Sequence, residues 1–157
     1  PENSYSYSLI TPMRAIASIA FVIGKIGLLS ADYEYVNYPE ASMNSDDYHF
    51  NDENEAIELK YCSQRNLRVG CEVKLEPLTL RGGYTFSESP FHTSINDGSA
   101  HGYSFGIGFR DTDYFMDIAY VHTTTNEDYY LYDPTLVDPA SLKINRSKIL
   151  FTVGFRF

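Results

Sequence analysis

The sequence predicts an all-β fold, an antiparallel transmembrane β-barrel, and three observations predict it. Apolar and polar residues alternate with period 2 along most of the chain. The predicted strands run to about 9–11 residues, longer than the usual soluble strand of about 5–6 and matched to a tilted strand that crosses a bilayer. Their connectors alternate between short turns and long polar loops, as they do where one barrel rim carries turns and the other carries extracellular loops.

Seven strands are expected, at residues 11–23, 28–38, 66–75, 78–87, 101–110, 114–123 and 147–157, all in one unit covering 1–157. The first two carry the weaker patterns. Thr11-Pro12 runs into Met13 without a tight turn, so a single strand is expected there, with the proline at its outer, less paired end. The alternative is that residues 4–10 end a preceding strand, which would make eight. In the third strand Leu67, Val69, Cys71, Val73 and Leu75 oppose Arg68, Gly70, Glu72 and Lys74. In the fourth, Leu78, Leu80, Tyr84 and Phe86 oppose Thr79, Arg81, Gly83 and Thr85. Tyr103, Phe105, Ile107 and Phe109 alternate with Ser104, Gly106, Gly108 and Arg110, and Tyr114, Met116, Ile118 and Tyr120 face away from Asp117 and Ala119. The last strand sets Ile149, Phe151, Val153, Phe155 and Phe157 against Lys148, Leu150, Thr152, Gly154 and Arg156.

Short turns fall at 24–26, 76–77 and 111–113, and long loops at about 39–65, 87–100 and 124–146. In the first loop Asp52 and Glu55 have capping-box spacing ahead of Ala56, Ile57 and Leu59. A short helix and an extension of the next strand both remain open there.

Composition narrows the function. No run approaches the roughly 18–20 apolar residues of a spanning helix; the longest, Ala15 to Ile23, is broken by Ser18. A net charge of −9 and a pI of about 4.8 argue against nucleic acid as a partner, which needs clustered Lys and Arg. Fourteen Tyr and ten Phe with no Trp give an aromatic-rich chain. These aromatics gather near strand ends, with Tyr35, Tyr38, Phe86 and Tyr103 toward the loops and Phe21, Phe109, Tyr114 and Phe155 toward the turns, as two interfacial girdles require.

The polar face carries Arg14, Asp32, Glu34, Arg68, Glu72, Lys74, Arg81, Arg110, Asp117, Lys148 and Arg156. Most of these are basic although the chain is acidic, because the acids collect in loops: Glu40, Asp46, Asp47, Asp52, Glu53 and Glu55, then Glu127, Asp128, Asp133 and Asp138. Two uses follow for the six cations Arg68, Lys74, Arg81, Arg110, Lys148 and Arg156. They can contact the carboxylate of an amphiphilic ligand in a lumen, or they can form an ion-pair ladder that holds strands in register. The loop acids lack EF-hand spacing and its central glycine, and read as solvated charge. His49, His92, His101 and His122 have no paired spacing, and no nucleophile elbow or phosphate loop is present. No metal, cofactor or enzymatic activity is expected. A Cys62–Cys71 bridge would need a hairpin at Asn66-Leu67, inside a well-patterned strand.

The final strand, with Phe151, Val153, Phe155 and terminal Phe157, resembles the C-terminal signal that the barrel-assembly machinery of bacterial outer membranes reads. Leu9 to Pro12, Gly27 to Tyr35 (GLLSADYEY), Asn66 to Glu72 (NLRVGCE), Leu80 to Tyr84 (LRGGY) with Ser89-Pro90 after it, and Asp117 to Tyr120 (DIAY) resemble, in order, the FadL/TodX family of outer-membrane hydrophobic-compound transporters. That resemblance implies a monomeric 14-stranded barrel of which these strands form the C-terminal half, completed by an N-terminal half with its plug. It also implies facilitated uptake of hydrophobic small molecules such as long-chain fatty acids, with outer-membrane lipid around the barrel. Two other roles stand beside this one: a partner-binding scaffold of a secretion or assembly complex, gripping through Tyr129, Tyr130 and Tyr132, and a small stand-alone OmpX-like barrel.

Overall fold

The computed structural model describes residues 6–92, 95–132 and 136–155. Its elements are β1 (Ser8–Ile10), β2 (Met13–Ile23), β3 (Gly27–Asn37), a 3-10 turn (Tyr38–Glu40), β4 (Ser42–Asn44), α1 (Asn51–Lys60), β5 (Ser63–Leu75), β6 (Leu78–Ser87), β7 (Ala100–Arg110), β8 (Tyr114–Tyr129) and β9 (Ala140–Phe155). Seven of the strands form one antiparallel sheet in the order β2-β3-β5-β6-β7-β8-β9, each beside its neighbour in sequence. The expected strands are therefore present, and the chain is all-β and antiparallel. The sheet is open: β2 and β9 each pair on one side only.

The turns form where the sequence places them. Gly24 takes φ +57, a left-handed conformation open to glycine, and the Ile26 amide returns to the Ile23 carbonyl. Glu76-Pro77 joins β5 to β6, and the Asp111 amide bonds the Tyr114 carbonyl between β7 and β8. All three lie on one rim, and the loops occupy the other.

Four expectations are corrected. Thr11-Pro12 does not continue a single strand. Proline has no N–H to give a ladder and restricts the residue before it, so the chain breaks there. The separated β1 leaves the main sheet and pairs antiparallel with β4 inside the first loop, Leu9 opposite Met43. β5 starts three residues earlier than predicted, at Ser63, opposite Asn37. The last loop is mostly strand, since β8 continues to Tyr129 and β9 begins at Ala140. Residues 51–60 form the helix, but Phe50 is its N-cap and no side chain caps it, so the Asp52/Glu55 spacing does not start it. The helix is held instead by Asn54, whose Nδ2 donates to the Met43 carbonyl while its Oδ1 accepts the Met43 amide. Asp133, Arg156 and Phe157 lie outside the described residues.

Antiparallel partners share a face, so the register sorts every side chain. One face carries Phe21, Leu29, Val69, Leu80, Tyr84, Phe105, Ile107, Ile118, Phe151 and Phe155 in facing rows. The other carries Arg14, Asp32, Glu34, Arg68, Glu72, Lys74, Arg81, Arg110, Asp117 and Lys148 with Gly70, Gly83, Gly102, Gly106, Gly108 and Gly154. No second layer covers the apolar face: Val36 alone is a buried hydrophobic among the described residues, and Phe105, Phe151 and Phe155 are 62%, 68% and 68% exposed.

The loop between β6 and β7 is tied to the top of β8. The Asn126 amide donates to the Ser99 carbonyl at 2.9 Å, the Asp128 amide to Asn96 Oδ1 at 2.8 Å, and the Asp97 amide to Asp128 Oδ2 at 3.2 Å. The Ser99 hydroxyl and the Ser99 amide (2.9 Å) hold the Asp97 carboxyl below the usual aspartate range, against the opposing pull of desolvation. Because the folded carboxyl titrates below its unfolded counterpart, this contribution is complete above the unfolded value and fades as pH falls through the folded one. Amide exchange at 95–99 and 126–128, corrected for intrinsic rate, is expected to stay protected near neutral pH and to rise below about pH 4. Asp97→Asn is expected to flatten that pH dependence and to lower local protection by about 1 kcal/mol.

Candidate functional site

The polar face is the one place where charge concentrates within the sheet, and its side chains form two ion-pair chains. Near the loop rim Glu34, buried to 4% exposure, accepts from Arg68 at 2.8 Å on β5 and pairs with Arg14 on β2. One carboxylate thus links three strands. Nearer the turn rim Glu72 accepts Arg81 Nε at 2.8 Å, with Lys74 Nζ 3.6 Å away, and Arg81 Nη1 donates to Asp117 Oδ1 at 2.7 Å. That second chain runs from β5 through β6 to β8 and passes over β7.

The crossing depends on glycine. Gly108 of β7 pairs with Asp117, and a Cβ built there would overlap the Asp117 carboxylate and lie 3.7 Å from Arg81 Nη1. Gly106 pairs with Arg81 in the same way. A bare backbone lets a guanidinium reach from one strand to the next but one. Similar crowding meets a Cβ at Gly83, 2.7 Å from Ser104 Oγ, and at Gly154, over which the Phe115 ring lies. The Phe115–Gly154 pair covers an otherwise exposed strip of backbone near the β9 edge.

The sequence-predicted residues therefore separate. Arg68, Lys74 and Arg81 are committed to carboxylates. Arg110 sits at the turn rim beside Lys74, Glu76 and Asp111, lining a groove of about 570 Å³. Lys148 lies far from these, paired in register with Val121 and one step below Arg146, which pairs with Thr123. Among the described residues neither Arg146 nor Lys148 has an ion pair. The pair lines a shallow groove of about 150 Å³ with Val121, Thr123 and Thr125. Arg146 is absent from the sequence-based set because the predicted strand begins at 147; the signal that could have found it is the alternation of Leu142, Ile144 and Arg146 with Lys143 and Asn145. Phe151, Val153 and Phe155 lie on the apolar face of the edge strand, and Arg156 and Phe157 are beyond the described residues.

The apolar face has graded ends. Its loop-side boundary carries Tyr103 stacked on His122 at 5.0 Å, with His122 Nδ1 2.9 Å and the Tyr120 hydroxyl 3.1 Å from Ser147 Oγ. The Tyr35 hydroxyl donates to Ser63 Oγ at 2.9 Å, and Ser63 donates to Asn37 Oδ1 at 3.0 Å. Rings with one apolar side and a bonded polar tip suit an apolar–water boundary. Phe109 and Tyr114, 6.0 Å apart, lie at the turn-side end. Cys62 and Cys71 are free: the Cys62 thiol points to the Ser89 and Phe91 carbonyls, and Cys71 borders an apolar notch of about 500 Å³ left by Gly82. His49 and His92 sit on loops, and His101 pairs with Thr124 near the loop rim. No group of three or more metal-ligating side chains occurs among the described residues.

No protein-family model matches the chain, and neither the curated proteins nor the solved structures gave a match.

Arg81 is expected to act as a strap. Arg81→Ala leaves Glu72 and Asp117 without their shared partner and should lower the urea midpoint in detergent by the equivalent of roughly 1–3 kcal/mol, read from tyrosine fluorescence. Gly108→Val, which obstructs the crossing without removing a charged residue, should give a loss of the same order. A double-mutant cycle between Arg81→Ala and Gly108→Val should be clearly non-additive, because both remove one crossing.

Proposed function

We propose that this chain is the C-terminal half of an outer-membrane β-barrel of the FadL/TodX kind, which takes up hydrophobic small molecules such as long-chain fatty acids by facilitated diffusion. The observation that supports it best is the single-layer sheet with an apolar face left bare. In water such a face would need a second layer. Surrounded by acyl chains it needs none, while the backbone is satisfied by ladder bonds within the sheet.

The height of the apolar band fits. On β5 it runs from Leu67 to Leu75, nine residues at about 3.4 Å rise, or roughly 27 Å along the strand before tilt. It ends at the loop rim in hydrogen-bonded Tyr and His and at the turn rim in Phe109 and Tyr114, where two interfaces would lie. The opposite face, with paired charges and small residues, suits an enclosed polar lumen.

Strand parity supports a half-barrel. Six antiparallel steps separate β2 from β9, so the two edge strands run in the same direction. Closing the seven upon themselves would bring β2 and β9 together in parallel, which argues against a small OmpX-like barrel. Two copies related by an axis along the barrel would meet in two parallel seams. An odd number of further strands makes both seams antiparallel, and an N-terminal half of seven gives the even total of bacterial single-chain barrels. The edge strand β9, ending in Phe151, Val153 and Phe155, would then be the segment handed to the assembly machinery by strand addition.

The decisive measurement is solvent access along β7 in the full-length protein in bilayers. With Cys62→Ser and Cys71→Ser as background, nitroxides at positions 103, 105 and 107 should be relaxed by dissolved oxygen and those at 102, 104 and 106 by aqueous nickel complexes. A chain that stays monodisperse without detergent and shows no such alternation would overturn the proposal.

A further inference from the structure

Within the body of the sheet the charged face answers its cations from close by, and at the β9 edge it does not. Arg14 and Arg68 share Glu34 on the strand between them, Lys74 lies beside Glu72 on its own strand, and Arg81 reaches Asp117. Arg146 and Lys148 have no ion pair among the described residues. The register shows why. Arg146 lies in a row with Thr123, Gly102 and Thr85, and Lys148 in a row with Val121, Ser104 and Gly83, so three successive strands offer them no charge. The two acids on this face of β8, Asp117 and Glu127, pair with Thr152 and Leu142. Each of those partners is four residues along β9 from the nearer cation, or about 14 Å. On β7 the same face carries Ala100, Gly102, Ser104, Gly106, Gly108 and Arg110, without an acid. Even Arg81 crosses a single intervening strand. In the plane of the sheet, the position still within reach of Arg146 and Lys148 is the next one beyond the open edge of β9.

We propose that the strand completing the sheet at β9 carries carboxylates facing Arg146 and Lys148, so that this seam is closed by ion pairs as well as by ladder bonds. The proposal rests on the half-barrel reading, which puts a strand of the N-terminal half there. It deepens that reading by naming the strand's chemistry: Asp or Glu at alternate positions, two residues apart, toward its loop-side end. Charge complementarity selects this occupant over a second copy of the chain. On the same face β2, the other open edge, presents Arg14, Ile16, Ser18, Ala20 and Val22, a cation already bound by Glu34 and otherwise no charge. A β2 edge from another molecule would bring Arg146 and Lys148 no anion. An acidic strand would, and opposite charges facing across a strand pair stabilise it whereas like charges destabilise it. The two open edges are thereby distinguishable, one cationic and one largely apolar. The cationic edge also fixes register, since a slip of one residue on the incoming strand would turn its acids to the apolar face. Cations on an unpaired edge discourage its pairing with edges that lack acids.

The test uses the full-length protein in detergent. Benzoylphenylalanine is placed at Ile144 or Leu150, which flank the two cations on the same face, and mass spectrometry locates the photocrosslink. Crosslinks are expected in a strand of the N-terminal half that bears Asp or Glu at alternate positions beside the point of attachment. Arg146→Gln/Lys148→Gln should lower the urea midpoint by roughly 0.5 M, and Arg146→Glu/Lys148→Glu should lower it further. Replacing the two mapped acids by Lys in the Glu/Glu variant should recover about half or more of that loss, a return that merely solvated cations would not produce. Where the Glu/Glu variant does not fold, recovery of folding on adding the two lysines is the same result. A crosslinked N-terminal strand without acids there, or mapped acids whose exchange recovers nothing, overturns the proposal and leaves the half-barrel standing. Crosslinks to β2 of a second copy, or to no strand of the N-terminal half, overturn the proposal and the half-barrel reading with it.

Discussion

A sheet one layer thick has no interior, and this constraint orders the rest of the molecule. Backbone donors and acceptors are satisfied by neighbouring strands, so the faces and the two outer edges are all that remain to be matched to an environment. The apolar face meets the problem by offering nothing polar between the Tyr103 row and the Tyr114–Phe155 pair. The opposite face meets it by pairing charge with charge. Glu34, almost wholly buried, would be strongly disfavoured as a lone carboxylate, and two arginines from adjacent strands answer it.

Those pairings also fix register. A one-residue slip would carry Arg68 to the apolar face and Val69 or Leu67 to the charged one. Glycine works with the charges, because Arg81 reaches Asp117 only across the bare backbone at Gly106 and Gly108. Small and long residues therefore form one arrangement here, in which absent side chains on β7 provide the space that a long side chain on β6 occupies. An ion-pair chain of this kind serves strand order, and it does not reach Arg146 and Lys148 toward the β9 edge, which have no ion pair among the described residues.

The sheet itself was legible in the sequence because period 2 is a direct image of a face, and turns at Gly24, Glu76-Pro77 and Asp111 bound it. The loop elements were not. β1 and β4 are three residues each, too short to show a period, and their pairing spans more than thirty residues of chain. The helix lacks a strong amphipathic pattern and starts without a side-chain cap, so only its length and its Asn54 contacts to Met43 define it. The ladder partners were on the expected face, but which cation found which anion depended on diagonal reach over β7, and no linear pattern encodes that. The open edges lie outside periodicity altogether.

The upper β8–β9 ribbon failed to register as strand for a more informative reason. Alternation persists on β9 from Ala140 to Arg146 with its phase reversed, while β8 is polar at every position from Thr123 to Asp128, so the positions four, six and eight residues beyond Tyr120 hold Thr124, Asn126 and Asp128 where the lower pattern would place apolar residues. Below the Tyr103–His122 row one face is apolar and the other charged; above it the first face carries Thr124, Asn126 and Asp128, and the second carries Leu142 and Ile144 on β9 opposite Glu127 and Thr125 on β8. The reversal coincides with the hydrogen-bonded Tyr and His ring, the place where an apolar surrounding would give way to water. Arg146 and Lys148 stand next to that row on the other face of β9, where the reversed pattern gives way to the lower one.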